Sequence, residues 1–328
     1  MKEINILILS AGRRVELVKA FQKAAKRLGI QSKVVAGDYS VTAPALYFAD
    51  KAVKFPKIND ENYIDYILDV CNKENISLVV PTIDTDLLIL AENKQFIEDN
   101  TRAKVLVSDY EVVLICRDKV LTQKFLEENG FGIPKMYTYE ELKTSDIKFP
   151  LFIKPRSGSS SKNTFKINNR KELELYMNVI DDPIIQDYID GEEYTVDVFL
   201  DFNSNVITIV PRLRIAVRSG EISKGKIVKD REIIEDVRRL MNVLKPIGQI
   251  TVQLKKTEKG IEYIEINPRF GGGAPMSIQC GADSCENLYR LLMGQELHYN
   301  EDYQDNLLFL RFDSSICLDG NMDVLNKA

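Results

Sequence analysis

The sequence predicts two architectures in tandem: a doubly wound α/β domain over residues 1 to about 109, then an α+β region built mostly on antiparallel sheet. Three observations carry this. Short apolar runs alternate with helical stripes through the first third of the chain. From Pro150 onward the strands lengthen, and several alternate apolar with polar residues. At 328 residues the chain exceeds one ordinary core and suits two or three lobes.

Taken in order, Ile4 to Ser10 is an apolar run of the kind a buried parallel strand needs, and Ala11-Gly12-Arg13-Arg14 turns the chain. Leu17, Phe21 and Leu28 mark one face of a helix that Gly29 is suited to end. Ser32 to Ala36 supplies a second strand ending near Asp38. Ile64, Ile67 and Cys71 give another helical stripe, and Ser77 to Pro81 a third strand. Asp84 or Thr85 is placed to cap a helix running to about Glu98, and Lys104 to Val107 makes a fourth strand. Residues 109 to 130 read as two short helices, followed by turns at Asn129-Gly130 and Gly132-Ile133-Pro134. Later, Ile250, Val252 and Leu254 alternate with Thr251 and Gln253. Ile264 and Ile266 alternate with Glu265 and Asn267, which sends the isoleucines to the core. Helices are expected at about 170–180, 230–245 and 283–294; from Asp305 the pattern determines little.

Composition narrows the function. The formal net charge is −5 and the pI about 5.3, which speaks against a nucleic-acid surface. Five cysteines, an odd number without a CxxC pair, suit free thiols in a reducing cytosol better than disulfides or a zinc site. Met1 to Ser10 reads as a first strand and not a signal peptide, and no apolar run reaches the roughly 20 residues that cross a bilayer. A cytoplasmic location without membrane partners is expected. The single histidine, His298, builds no histidine-rich metal site. Ser10 to Arg14 lacks the GxGxxG of dinucleotide oxidoreductases.

Three motifs carry chemistry. In Pro150-Leu-Phe-Ile-Lys154-Pro155 a strand delivers a lysine at its end. The loop after it, Arg156 to Asn163 with Ser157, Gly158 and Ser159, is small enough to fold N–H groups over phosphate oxygens. An ordinary strand and turn would look the same. In Ile184-Ile-Gln186-Asp187-Tyr188-Ile189-Asp-Gly191-Glu-Glu193 one strand ends, the chain turns and another begins; backbone at such an end suits an adenine edge, and an acid after the turn suits ribose hydroxyls. A plain hairpin with solvated acids is the alternative. In Ile264-Glu265-Ile266-Asn267-Pro268-Arg269-Phe-Gly271-Gly272-Gly273, Glu265 and Asn267 project to one face, and Gln253 on the preceding strand can sit opposite them. Their oxygens suit Mg²⁺ shared with phosphates. Arg269 then enters a stretch where backbone can approach a ligand closely.

The order of Lys119, Lys154, the small-residue loop, Gln-Asp-Tyr-Ile with Glu193, and Glu265-x-Asn267-Pro268-Arg269 resembles the ATP-grasp superfamily, and within it the carbamoyl-phosphate-synthase large-chain-like branch. The resemblance spans nearly the whole chain and implies an N-terminal α/β domain (1–109), two grasp lobes (110–185 and 186–304) and a C-terminal segment (305–328). It implies that Lys119, otherwise a solvated helix residue, and Lys154 contact ATP phosphates with the loop at Arg156, Ser157, Gly158 and Ser159. Gln186 to Ile189 would hold adenine and Glu193 ribose. Gln253, Glu265 and Asn267 would hold Mg²⁺, with Mn²⁺ as the alternative metal. Lys154 and Arg269 would be catalytic, Arg269 near the transferred phosphoryl group. Arg212 and Arg214, on one strand face, and Gly271 and Gly272 are substrate candidates, as are Gly12, Arg13 and Asp38 at strand ends. Many relatives in the superfamily carry an acid where this chain has Gln253. The activity implied is ATP-dependent joining of a carboxylate to an amine through an acyl phosphate, releasing ADP and phosphate. The alternatives are carbamoyl-phosphate-type phosphorylation of bicarbonate or carbamate, and nucleotide binding without turnover. No general base stands out. A homodimer is the commonest assembly for such an enzyme.

Overall fold

The structure, a computed structural model, describes residues 3–144, 146–158, 163–218 and 220–327. Its first part contains β1 (Asn5–Leu9), α1 (Val15–Leu28), β2 (Val34–Asp38), β3 (Lys51–Lys54), α2 (Tyr63–Lys73), β4 (Ile76–Pro81), α3 (Asp84–Asn100) and β5 (Lys104–Val105). The strands are parallel in the order β3-β2-β1-β4-β5, so the doubly wound sheet is present and its order reverses between β1 and β4. Gly29 closes α1 in the left-handed conformation at φ 63°. The sequence reading missed β3, a charged and largely exposed edge strand, Lys-Ala-Val-Lys, that lacks the apolar run of its neighbours. The fourth expected strand pairs only over Lys104–Val105. Asp84 is not a capping residue: it is the first residue of α3, whose cap position is Ile83.

Two helices follow, α4 (Tyr110–Arg117) and α5 (Lys119–Glu128). A small lobe contains β6 (Met136–Tyr137), α6 (Tyr139–Thr144), β7 (Leu151–Pro155), β8 (Phe165–Ile167), α7 (Arg170–Val179) and β9 (Pro183–Asp187), with antiparallel order β6-β9-β7-β8. The large lobe contains β10 (Glu192–Leu200), β11 (Val206–Arg218), β12 (Glu221–Ile227), α8 (Arg231–Leu244), β13 (Gly248–Thr257), β14 (Gly260–Asn267), α9 (Ala274–Gln279), α10 (Ser284–Leu292) and β15 (Leu308–Leu310). Its antiparallel sheet runs β14-β13-β10-β11-β12-β15. A hairpin of β16 (Ile316–Leu318) and β17 (Val324–Lys327) ends the chain.

The period-2 pattern in the large sheet divides its faces. Val196, Val198, Ile250, Val252 and Leu254 join Ile233, Val237, Leu240 and Met241 of α8 in one core. Thr195, Gln253 and Glu265 lie in register on the opposite face. Helices α4 and α5, which the sequence reading grouped with the first lobe, add Cys116 and Leu126 to the large sheet's core, whereas the small lobe closes its own core around Leu151, Ile153, Leu173 and Ile185. A change of rhythm near residue 109 marks where the parallel sheet ends, not which core the next helix joins. The N-terminal domain and large lobe share a core as well: Phe21 of α1 packs edge-on against Phe270 and Tyr289. No helix among the described residues is long and apolar enough to cross a membrane.

Gly132 joins α5 to the large sheet at close quarters. A Cβ there would lie 2.1 Å from the Ile261 carbonyl oxygen. Gly132→Ala is therefore expected to destabilise the fold by about 1–3 kcal/mol through overpacking, read as a lower denaturant midpoint with unchanged slope.

Candidate active site

A cleft of about 710 Å³ lies between the small lobe and the polar face of the large sheet. Lys154, near the end of β7, is only 7 % exposed, lines the cleft, and has no hydrogen-bonding or ion-pairing partner among the described residues. Burial pulls its pKa down to about 8; Glu265 opposes that shift, and Lys119 adds to it. Lys119 opens α5, whose N-terminus is capped by Asp118 accepting from Val120 N at 2.8 Å and Leu121 N at 3.3 Å. Burial also lowers the Lys119 pKa. Its Nζ donates to the carbonyls of Arg156 (3.3 Å) and Gly158 (2.9 Å), which ties the loop after β7 to α5.

Asp118 does a second job. It accepts from Arg156 Nε at 3.0 Å and Nη2 at 2.6 Å. The Arg156 guanidinium is thereby turned to Asp118 and does not line the cleft, whereas Ser157 and Gly158 do. Ser159 and residues 160–162 of the expected phosphate loop lie outside the described residues.

On the strand next to β7 in the same sheet, Gln186 and Asp187 end β9, and Tyr188 and Ile189 continue it along the cleft. Tyr188 N donates to Pro150 O at 3.3 Å. Asp187 accepts from Tyr137 Oη at 2.7 Å, and Ile189 O from Lys255 Nζ at 2.9 Å. The Ile189 N–H has no acceptor among the described residues. The Tyr188 ring carries Lys166 Nζ at 4.1 Å and Lys255 Nζ at 5.2 Å from its centroid. Glu193 Oε1 lies 2.8 Å from Arg214 Nε, close enough to pair but not aligned as a hydrogen bond. Arg214 donates instead to Thr195 Oγ1 at 3.0 Å and Gly220 O at 3.2 Å.

Gln253 and Glu265 stand directly opposite on β13 and β14. The register then shifts, with Leu254 facing Tyr263, so Ile264 is an extra residue in a bulge. The expectation that Ile264 faces the core is thus corrected: Tyr263 is buried there, and Ile264 turns into the cleft beside Glu265. Asn267 is buried deeper, opposite Thr251, and its Oδ1 accepts from Arg269 Nη2 at 3.3 Å. Arg269 grips Asp84 of the N-terminal domain with both sides of its guanidinium, Nε to Oδ1 at 2.7 Å and Nη2 to Oδ2 at 2.6 Å.

The glycine segment is packed against side chains. A Cβ on Gly271 would meet Thr251 Oγ1 at 2.7 Å, one on Gly272 Glu221 Oε1 at 2.6 Å and Arg14 Nη1 at 2.7 Å, and one on Gly273 Arg212 Nη1 at 2.5 Å. Arg212 is buried on Asp197 at 2.7 Å, with Ser277 Oγ also donating to that carboxylate, so its guanidinium braces the glycine turn from behind. Of the strand-end candidates, Gly12 N donates to Asp38 Oδ2 at 2.7 Å, and Arg13 points outward beside Asp313. Sequence reasoning missed Arg14, one residue further on, and Asp84 as the partner of Arg269; the only signal for Asp84 was its place at a helix start.

Mg²⁺ fits this donor set as a shared ligand. Among the described residues no three His, Cys, Asp or Glu side chains converge to hold a metal alone, while Glu265 and Gln253 oxygens face a cleft whose buried, unpaired Lys154 suits phosphate.

Comparison with known proteins matches two families along the chain, in the order of the N-terminal domain and the grasp. Residues 6–105 match the PylC-like N-terminal domain and residues 116–273 the ATP-grasp domain. The chain is 23% identical over 257 residues to a carbamoyl-phosphate synthase of Methanobrevibacter smithii, covering 71% of this chain and 68% of that one. It is 26% identical over 258 residues to D-alanine–D-alanine ligase B of Clostridium perfringens, covering 70% of this chain and 85% of that one. The fold is similar to the biotin carboxylase domain dimer of Hydrogenobacter thermophilus 2-oxoglutarate carboxylase, solved with MgADP, ADP and bicarbonate, at a TM-score of 0.71 and 19% identity, covering 94% of this chain and 74% of that one. The chain thus carries an ATP-grasp domain at residues 116–273, the domain of ADP-forming C–N ligases, with a PylC-like domain ahead of it.

Proposed function

We propose that the chain uses ATP to phosphorylate a small carboxylate and joins the resulting acyl group to an amine. The observation that carries this is the buried Lys154, without a partner among the described residues, facing Glu265 across the cleft. A lone buried cation is costly unless an anion completes it, and ATP phosphates are that anion. Lys154 and Lys119 would offset phosphate charge, with Ser157 and Gly158 closing over it. The Ile189 N–H would meet the adenine edge held by Gln186 to Ile189, and Glu193 the ribose. Glu265 and Gln253 would hold Mg²⁺, or Mn²⁺ in its place, with Asn267 behind them; the metal neutralises charge on the phosphates it shares. Arg269, steadied by Asp84, would keep Asn267 and the glycine turn in place at the reacting centre.

Once the carboxylate carries a phosphoryl group, the amine nitrogen attacks the acyl carbon. The C–N bond forms, the bond from carbon to the phosphate oxygen breaks, and phosphate leaves with the electron pair. Water must be kept out, because it hydrolyses the same intermediate. The net charge of −5 supports small-molecule substrates over nucleic acid, and the free cysteines support the cytoplasm. A homodimer is the assembly we infer, as in the biotin carboxylase domain dimer.

The test measures product release over pairs of amino acids and small carboxylates. ADP and phosphate should appear only when acid and amine are both present. AMP with pyrophosphate would defeat the reading, and bicarbonate-dependent turnover without an amine would replace it with the carbamoyl-phosphate-type one. Glu265→Ala and Lys154→Ala are each expected to cut turnover by more than about a hundredfold with unchanged circular dichroism. Asp84→Asn leaves Arg269 without its charged partner. It is expected to cost about 1–3 kcal/mol of stability and to lower kcat more than it weakens ADP binding.

The Lys154 pKa sets a pH dependence. Only its protonated form balances phosphate, and that form is lost as pH rises through about 8. ADP·Mg²⁺ affinity is expected to fall above that pH, by up to about tenfold per unit. Calorimetry from pH 6.5 upward checks this, with Lys154→Gln expected to be weaker and flat across the same range.

A further inference from the structure

The guanidinium groups around Gly271–Gly273 are not equivalent. Arg212 is spent on Asp197, and Arg269 on Asp84. Arg214 is spent on Glu193, Thr195 and Gly220. Arg311 reaches Glu221 Oε2 and Ile222 O, each at 3.2 Å. Arg14 stands apart. Its side chain is only 20 % exposed, yet its one hydrogen bond among the described residues is a long 3.4 Å bond from Nη1 to Glu221 Oε1. Its Nε and Nη2 have no acceptor among those residues.

The surroundings disfavour that charge. Burial depresses the Arg14 pKa most, Glu221 pulls it back, and Arg269 and Arg311 depress it further. A buried guanidinium with an open pair of donors is suited to a carboxylate or phosphate, which it can meet with two parallel hydrogen bonds.

Position says whose anion this is. Arg14 follows β1 where the strand order reverses between β1 and β4, the crevice where open α/β sheets take ligands. Its Nη1 lies against Gly272, on the N-terminal-domain side of the glycine turn. It does not line the cleft that holds Lys119 and Lys154, so the nucleotide phosphates have their own cations. The reacting carboxylate must meet the phosphoryl group beside Glu265, which leaves Arg14 for a different anionic group.

We propose that Arg14 recognises a second anionic group on the acyl substrate, so that the substrate class is a dicarboxylic acid or a phosphorylated acid and not a simple monocarboxylate. This rests on the ligase reading above. Glu221 then holds Arg14 between substrates, at a distance too long to compete strongly with a bidentate anion.

The full chain is first titrated with ADP·Mg²⁺ by calorimetry; failure to bind sinks the ligase reading itself. The loaded protein is then titrated with malonate through adipate, with the matched monocarboxylates propionate through hexanoate, and with 3-phosphoglycerate. At least one dianionic probe is expected to bind tenfold or more tightly than its monoanionic match. A preference confined to 3-phosphoglycerate assigns the site to phosphorylated acids, and one among the diacids to dicarboxylates. Trapping the acyl phosphate with hydroxylamine should rank the same acids by KM. Arg14→Gln is expected to erase the preference while leaving ADP·Mg²⁺ affinity unchanged, and Arg14→Lys to keep part of it. Arg218→Gln, an exposed neighbour paired with Asp313, should leave it intact. Glu221→Gln removes the carboxylate that Arg14 touches and should tighten dianion binding about threefold, which gives a reading independent of any loss of folding in the Arg14 variants. Equal binding of monoanions and dianions overturns the proposal. So does a panel in which no dianion binds the ADP-loaded protein, or an Arg14→Gln variant that weakens both classes alike.

Discussion

The bidentate pair between Arg269 and Asp84 is the contact on which the site's geometry depends. It spans 185 positions of sequence and joins the first turn of α3 to the second residue after β14. Two charge-assisted bonds fix the guanidinium plane as well as its position. Nη2 also reaches Asn267 Oδ1. One arginine therefore sets the N-terminal domain, the amide behind Glu265 and the start of the glycine turn relative to one another. Thr251 adds to this by donating to the Arg269 carbonyl at 3.2 Å.

Around that anchor the charges fall into two classes. Arg156, Arg212 and Arg269 each have a carboxylate at ordinary ion-pair distance, and they hold backbone turns in place. Lys154 has none among the described residues and Arg14 only Glu221 at a long 3.4 Å, and both are mostly buried. Structural pairs explain the first class, since a buried charge is tolerated when it is matched. The second class is what the proposed function uses, with a ligand bringing the anion that each lacks or holds only loosely. Lys154 faces the cleft with Glu265, and Arg14 lies beside Gly272 on the N-terminal-domain side, the arrangement that the proposed reaction would use if phosphate and acid meet between them.

Much of this was legible in the sequence, and the parts that were not have physical causes. The Glu265-Ile-Asn267 alternation and the apolar partners on β13 identified the polar face, because period-2 patterning is a local property. The bulge at Ile264 was not readable: it depends on how β14 pairs with β13, and a single inserted residue leaves no compositional mark. The doubly wound rhythm was visible from its apolar strands, but β3 was hidden by its two lysines. Arg212 looked like a pocket cation from its strand face. That it is buried on Asp197 depends on pairing across β10 and β11 and on Ser277 from α9, three segments no local pattern connects. Asp84 was visible only as a helix-start acid, since nothing near it in sequence points to residue 269.

The distribution of cores adds a mechanical asymmetry. The small lobe buries Leu151, Ile153, Leu173 and Ile185 among its own residues, and the cleft separates it from the large sheet. The N-terminal domain and the large lobe instead share one continuous core through Phe21, Phe270 and Tyr289. Separating two bodies with independent cores exposes little apolar surface, whereas separating two that share a core exposes much. The small lobe, which delivers Lys154 and the strand end at Gln186, is thus the part of the site that can move at low cost, held to α5 chiefly by Lys119 and by Asp118 on Arg156. The acceptor side, with Asp84, Arg14 and the glycine turn, belongs to a rigid unit. Displacement of the small lobe would open the cleft while the geometry at Arg269 stays fixed, so the anchor described above need not be broken when the cleft opens.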